Sequence, residues 1–229
     1  MPTLKRGFFV TGTDTGVGKT HTTALITSAL RSARIDAVAM KPFCCGERAD
    51  ADILFAACEG AAAMELINPV WLRAPAAPYA ASLIENRALD LETARSAYKQ
   101  LAESHSTVLV EGVGGWRVPL TADFCASDFA RELELPVLVV CSNRLGMLNH
   151  TQLTVDAIIA KGLHCAGVVI NNPEPPKECP AVHTNAAVLE QILTVPILGE
   201  IQHGSTALPP AVLEKIKALL AIPTGIEHV

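Results

Sequence analysis

Short runs that are apolar at nearly every position recur along the chain, alternating with stretches whose apolar residues return every three or four positions. The runs at 7–10 (GFFV), 37–41 (AVAMK), 107–111 (TVLVE), 137–141 (VLVVC), 165–171 (CAGVVIN) and 195–198 (VPIL) predict strands. Continuous rather than alternating apolarity fits parallel strands covered on both faces. Between the strands the pattern predicts helices over 19–33, 50–58, about 90–103 with Asp90 as N-cap, 151–161, 183–193 and 210–221. Strand, helix and strand in repetition imply right-handed crossovers and an α/β fold: a single doubly wound, mostly parallel sheet flanked by helices. No internal repeat, long linker or low-complexity tract interrupts the alternation, so residues 1–229 read as one domain.

Charge narrows the partners. Eighteen basic against 23 acidic side chains leave a formal net charge of −5, which argues against a dedicated nucleic-acid or anionic-membrane surface. Mean hydropathy is +0.32, yet no apolar string approaches the roughly 18 residues of a membrane-spanning helix. The first twelve residues lack an extended apolar segment and a small-residue cleavage site, so a soluble, cytoplasmic protein is expected. The seven cysteines (44, 45, 58, 125, 141, 165 and 179) form no C-x-x-C pair and read as reduced structural thiols rather than a zinc site.

An open parallel sheet binds ligands beyond the carboxyl ends of its strands. After the first strand stands GTDTGVGKT (12–20), opening a helix. This is a phosphate-binding loop: Gly16 and Gly18 let backbone N–H groups curl round phosphate oxygens, Lys19 neutralises the β- and γ-phosphates, and the Thr20 hydroxyl ligates magnesium. Lys41 ends the second strand, where it can reach the same phosphates. Glu111 stands at the next carboxyl end as a magnesium-binding acid, followed by Gly112, Val113, Gly114 and Gly115, which allow close backbone approach to a ligand. Asp50 and Asp52 offer a further carboxylate or simply cap a helix. Asn171 and Asn172 end another strand and can hydrogen-bond a base edge, although loop asparagines also form turns. Asn149-His150-Thr151 reads as a helix N-cap, and Gly146-Met147-Leu148 before it can offer backbone N–H groups to an anion. Trp71 and Trp116 read as packing residues.

Taken together, GTDTGVGKT (12–20), KPFCCG (41–46), the acidic pair at 50 and 52, EGVGGW (111–116), LGMLNHT (145–151) and VVINN (168–172) resemble the dethiobiotin synthetase family over nearly the whole chain. The resemblance implies a P-loop NTPase fold and closure of a ureido ring on 7,8-diaminononanoate with CO2 and MgATP. It implies catalytic roles for Lys19 and Lys41, and nucleotide contacts at Gly16, Val17, Gly18, Lys19, Thr20, His21, Glu111, Gly112, Val113, Gly114, Asn171 and Asn172. Magnesium falls to Thr20, Asp52 and Glu111, with Asp52 preferred to Asp50 because Ile53-Leu54 follows it. Substrate contacts fall to Thr15 and Cys45. They also fall to Gly146, Met147, Leu148 and Asn149, reaching across the subunit interface of a homodimer. This chain departs from the family pattern at Cys45 (commonly Ser), at Gly16 (commonly Glu) and at Gln202-His203-Gly204, which replaces a proline-containing stretch beside adenine.

Two other readings compete. A partitioning-type nucleotide switch would carry a second lysine inside the phosphate loop, where 12–16 has none. A cobyrinate-type amide ligase would carry a glutaminase domain, for which the chain has no room.

Overall fold

Strands that are apolar on both faces form a sheet only where helices cover both sides, and the element order supplies them. In a computed structural model, which describes residues 6–175 and 179–221, the chain runs β1 (Gly7–Gly12), α1 (Lys19–Ser32), β2 (Ala37–Met40), β3 (Phe43–Cys45), α2 (Ala49–Ala57), α3 (Met64–Ile67), β4 (Val70–Leu72), α4 (Pro78–Ile84), α5 (Leu91–Ser104) and β5 (Thr107–Gly115). It continues through α6 (Ala126–Leu133), β6 (Val137–Ser142), α7 (Met147–Ala160), β7 (Cys165–Asn171), α8 (Pro180–Ile192), β8 (Ile197–Ile201) and α9 (Pro210–Ala221). Six strands make one parallel sheet in the order β2-β5-β1-β6-β7-β8, and β3 and β4 pair in a small parallel sheet of their own.

Every residue of β1, β2, β6 and β7 is buried, as continuous apolar runs require. The chain leaves β1 toward β2 on one side and later fills β6, β7 and β8 on the other. β1 therefore flanks the switch point, and the crevice beyond its carboxyl end is where such sheets take ligands. All seven cysteines are free thiols, and Cys44, Cys58, Cys141 and Cys165 are buried. No helix among the described residues is long and apolar enough to cross a membrane. Residues 1–5, part of the N-terminal stretch judged above, lie outside the described residues.

The expected helices and strands are found, with displaced ends and several additions. The Asp90 side chain accepts from the Thr93 amide at 2.9 Å, capping α5 as the sequence predicts. α7 begins earlier than expected: Met147 is its first residue, and Gly146 takes the N-cap at φ 93°, a left-handed conformation that glycine adopts without a Cβ penalty. Thr151, expected at the cap, is instead fully buried inside the helix. The last strand spans Ile197–Ile201 rather than 195–198. The pattern did not predict β3, β4, α3, α4 or α6. The strands are three residues each, too short for periodicity to register. α6 opens on Cys125, an unconventional N-cap, whose amide donates to Asp128 Oδ2 at 2.8 Å.

α6 ties the small sheet to the main core. Its Phe129, 1% exposed, meets Phe43 of β3 edge-on with ring centroids 5.1 Å apart. Phe129→Ala is expected to cost about 3–5 kcal/mol, read from the urea midpoint. A loss under about 1 kcal/mol would mean that this contact contributes little.

Candidate active site

The phosphate loop, residues 13–18, leaves β1 and enters α1. Gly18 stands at φ 92°, and a Cβ there would lie 2.0 Å from Asn171 Nδ2, so no side chain fits. Asn171 holds the loop from the β7 end by donating from Nδ2 to the Val17 carbonyl at 3.0 Å. α1 has no acidic residue in its first turn, which leaves its terminal N–H groups and dipole available to an anion. Lys19 folds back over the loop, with Nζ 3.2 Å from the Asp14 carbonyl.

Register assembles the rest. β2 and β5 pair in parallel with Met40 opposite Val110, so the next residues on each strand, Lys41 and Glu111, emerge side by side. Lys41 Nζ donates to Glu111 Oε1 at 2.5 Å and to Asp50 Oδ2 at 2.8 Å. The Thr20 hydroxyl donates to the same Glu111 oxygen at 2.8 Å. Glu111 is fully buried, and its Oε2 has no hydrogen-bond partner. Buried acceptors are seldom left so in a folded protein, and this one belongs to the carboxylate on which the Thr20 hydroxyl and the Lys41 ammonium converge through Oε1.

The charges shape one another. Burial first, and the Lys41 ammonium second, bring Lys19 down to about 8 despite help from Glu111, Asp50 and Asp14. Burial pulls on Lys41 as well, but Glu111 and Asp50 outweigh it and hold the ammonium well above the lysine range. Asp50 has burial acting to raise it, yet Lys41, with hydrogen bonds from Lys41 and Thr20, keeps it below the usual carboxylate range. The two lysines of the site are thus pushed in opposite directions from the same ordinary value.

The loop separates two cavities. One, of about 570 Å³, is lined by Lys19, Thr20, Lys41, Asp50, Cys45 and Gly114 among others. The other, of about 620 Å³, is lined by Asn143, Asn172, Val182, Glu200, Gln202 and His203 among others. Thr15 and Gly16 line both.

The structure therefore brings together most of the residues singled out from sequence, with exceptions. Asp52 is corrected: it is exposed on α2, and Asp50 is the residue that joins the cluster. Two positions along a helix differ by about 200°, so only one of the pair can face Lys41. The signal was present, because the buried Ala51, Leu54 and Ala57 define a stripe that Asp50 borders and Asp52 opposes. His21 lines neither cavity; its Nε2 meets the Ser205 carbonyl at 2.8 Å, tying α1 to the loop after β8. Asn171 supports the loop from beneath, and Asn172 is the one that lines a cavity. Val113 lines the smaller cavity while Gly112 is buried in β5. Gly146, Met147, Leu148 and Asn149 line neither cavity of this chain, and Met147 is buried in the core. Cys45 is half-buried, and burial pushes its thiol up to about 11, so it meets a ligand as a neutral group. Trp116 packs edge-on against Phe9 at 6.3 Å. Trp71 donates to the Gly46 carbonyl at 2.8 Å with Arg48 over its ring. Sequence reasoning missed the wall formed by 75–78 and Val118, and the contribution of Asn143.

Among the described residues no group of three His, Cys, Asp or Glu side chains could hold a metal by itself. Thr20, Asp50 and the Glu111 carboxylate, linked through Lys41 and the Thr20 hydroxyl, offer a partial oxygen set instead. That suits magnesium, which keeps waters and completes its octahedron with substrate phosphates.

A family model described as "AAA domain" matches residues 6–210. The protein named ATP-dependent dethiobiotin synthetase BioD of Akkermansia muciniphila is 43% identical over 208 residues, covering 91% of this chain and 97% of that protein. The protein of the same name from Xylella fastidiosa (strain Temecula1) is 38% identical over 214 residues, covering 90% of this chain and 94% of the relative. Among solved structures, the septum site-determining protein MinD complexed with Mg-ADP from Pyrococcus horikoshii superposes with a TM-score of 0.53 at 18% identity, covering 96% of this chain and 87% of that one. A plasmid partition protein from Borrelia burgdorferi gives 0.55 at 10% identity, covering 94% and 96%. At those identities the likeness is one of fold.

The depressed Lys19 has a thermodynamic signature. Its folded-state pKa, about 8, lies below the unfolded value of 10.5, so folding carries a cost that is full below pH 8 and relieved as pH rises toward 10.5. Lys19→Met should accordingly be more stable than the parent at pH 7, by on the order of 2 kcal/mol. The gap should narrow toward pH 10, as read from paired denaturant midpoints at the two pH values. A gap independent of pH would contradict the assignment.

Proposed function

The chain belongs to the ATP-dependent dethiobiotin synthetase family, and on that premise we propose that it is a ligase closing the cyclic urea of dethiobiotin on 7,8-diaminononanoate, with CO2 and MgATP as co-substrates. One amine adds to CO2 and loses a proton, giving a carbamate. A carbamate oxygen attacks the γ-phosphorus of ATP, and the β–γ bridge breaks to release ADP and leave a carbamic-phosphoric anhydride. The second amine attacks the anhydride carbonyl, and inorganic phosphate departs.

The observation that carries this reading is Lys41, an ammonium paired with Glu111 and Asp50 and delivered from a strand end into the cavity next to the phosphate loop. Transfer between two anions depends chiefly on alignment and charge neutralisation. Lys19 at the loop and Lys41 beside it supply both, Lys19 toward the phosphates and Lys41 toward the carbamate and the γ-phosphoryl group. Thr15 and Cys45 line the cavity assigned to the diamine. Thr20, Asp50 and Glu111 are the residues that would hold magnesium, which when bound supplies positive charge to the phosphate oxygens. Asn172 serves the base side, and Asn171 braces the phosphate loop beside it. A homodimer is part of the reading. The start of α7, with Leu145 80% and Leu153 61% exposed, is the surface through which 146–149 of one subunit would hold the substrate carboxylate of the other.

The deciding experiment follows phosphate release from MgATP and bicarbonate, with and without 7,8-diaminononanoate, together with product mass. Diamine-dependent release with the cyclic urea formed supports the reading. Diamine-independent hydrolysis without a new product would replace it with a nucleotide switch. Lys41→Ala is expected to lower turnover by roughly 10²-fold with nucleotide affinity largely kept; near-full turnover would remove Lys41 from the chemistry. Asp50→Asn should raise the magnesium concentration needed for half activity by about tenfold, while Asp52→Asn leaves it unchanged. The reverse pattern would restore Asp52 as the ligand.

A further inference from the structure

Two asparagines on the wall of the 620 Å³ cavity, and a third that does not line it, form a polar chain that the ring-closing chemistry does not use. Asn143 follows β6, Asn172 follows β7, and Asn185 lies on α8. Asn185, 3% exposed, donates from Nδ2 to Asn143 Oδ1 at 2.9 Å and to the Arg144 carbonyl at 3.3 Å. Asn143 donates from Nδ2 to Asn172 Oδ1 at 3.0 Å and to the Val182 carbonyl at 3.1 Å. Asn172 donates from Nδ2 to the Ile201 carbonyl at 3.1 Å, with a Glu200 carboxylate oxygen 3.5 Å away. A main-chain carbonyl can only accept, so each of the three amides is oriented by a backbone oxygen that fixes where its nitrogen lies. The neighbouring Asn171 repeats the arrangement, with its nitrogen on the Val17 carbonyl and its Oδ1 buried without a partner.

The consequence is a fixed acceptor at one point of the cleft wall, Asn172 Oδ1. Both N–H groups of Asn172 are engaged, and what it has left for a ligand is a lone pair on Oδ1. We propose that the Asn185–Asn143–Asn172 relay selects the base: it takes a nucleotide whose base offers an amino group there and rejects one offering an oxo group. The inference rests on the reading of this cleft as the nucleotide site and adds what sets its preference. Asn172 contacts the base, and Asn143 and Asn185 are positioning residues that act through it. An oxo base would set oxygen against Asn172 Oδ1. Relief by turning that amide would bring its nitrogen against Asn143 Nδ2. Turning Asn143 in its place would strip the Val182 carbonyl and face the Asn185 nitrogen. A single flip therefore has to become three, and that linkage resists adaptation to the wrong base.

The test measures direct binding of ATP and ITP, purine nucleotides that differ by an amino or an oxo group at one ring position, by calorimetry with magnesium and without diamine. The parent protein should bind ATP at least about tenfold more tightly than ITP. Asn143→Leu removes the N–H that fixes Asn172, so its ATP-to-ITP ratio should fall toward one. Asn143→Asp, which sets oxygen against Asn172 Oδ1, should lower it at least as far. A general loosening of the cleft would weaken both nucleotides and leave the ratio unchanged, so the ratio separates positioning from mere structure. Equal affinities in the parent would overturn the proposal whatever the variants do, as would a ratio preserved in folded Asn143→Leu. Should the variants fail to fold, the parent's ratio decides. A protein that forms the cyclic urea equally well with ATP and ITP keeps the ligase reading and loses this one, whereas failure to bind either nucleotide overturns both.

Discussion

The contact between Lys41 and Glu111 organises the molecule around the carboxyl edge of its sheet. Neither charge is tolerable alone at that depth: an unpaired buried ion costs several kcal/mol, and breaking such a pair typically costs about 3–5 kcal/mol. The pair exists because β2 and β5 are neighbours in parallel register, Met40 opposite Val110, so that the residues just past each are adjacent. Everything else in the cluster attaches to it. Thr20 reaches Glu111 from the first turn of α1, and Asp50 reaches Lys41 from the first turn of α2. One ion pair thereby locks α1, β2 and α2 to β5, a strand some 70 residues further along.

The phosphate loop divides the space this frame encloses. Thr15 and Gly16 belong to both cavities, with Lys19, Lys41 and Asp50 on one side and Asn143, Asn172 and Gln202 among the lining of the other. The two sides differ in chemistry for a physical reason. On the proposed reading, the charged side suits groups that carry charge through a transfer, and the oriented amides suit a neutral base. The loop itself is braced from beneath by Asn171, and the space that this brace occupies is what forbids a side chain at Gly18.

Particular elements show how far the sequence could be read. Continuous apolar runs identified the six strands of the main sheet because a strand buried on both faces has no polar position to hide the pattern. The phosphate loop was legible because its chemistry is local, packed into 12–20. Asp90 announced α5 for the same reason. Length defeated the rest: three-residue strands at Phe43–Cys45 and Val70–Leu72 fall below any periodicity, and the small sheet and its covering helix α6 went unseen. The start of α7 was misplaced because Asn149 is a good N-cap residue in isolation, whereas glycine at 146 reached the left-handed conformation first.

By itself, then, the sequence determined the parallel α/β class, the loop, and the identity of Lys19, Thr20, Lys41 and Glu111 as groups gathered at one edge. Those properties follow from spacing along the chain or from a residue's place at a strand's end. Tertiary structure alone made the choice of Asp50 over Asp52, set Lys19 and Lys41 moving in opposite directions from their ordinary acidities, and joined Asn143, Asn172 and Asn185 into one relay. Each of these depends on the rotation of a helix about its axis, or on the depth and neighbours of a group contributed by a distant segment. Such relations become defined only when the sheet has closed its register and the helices have packed.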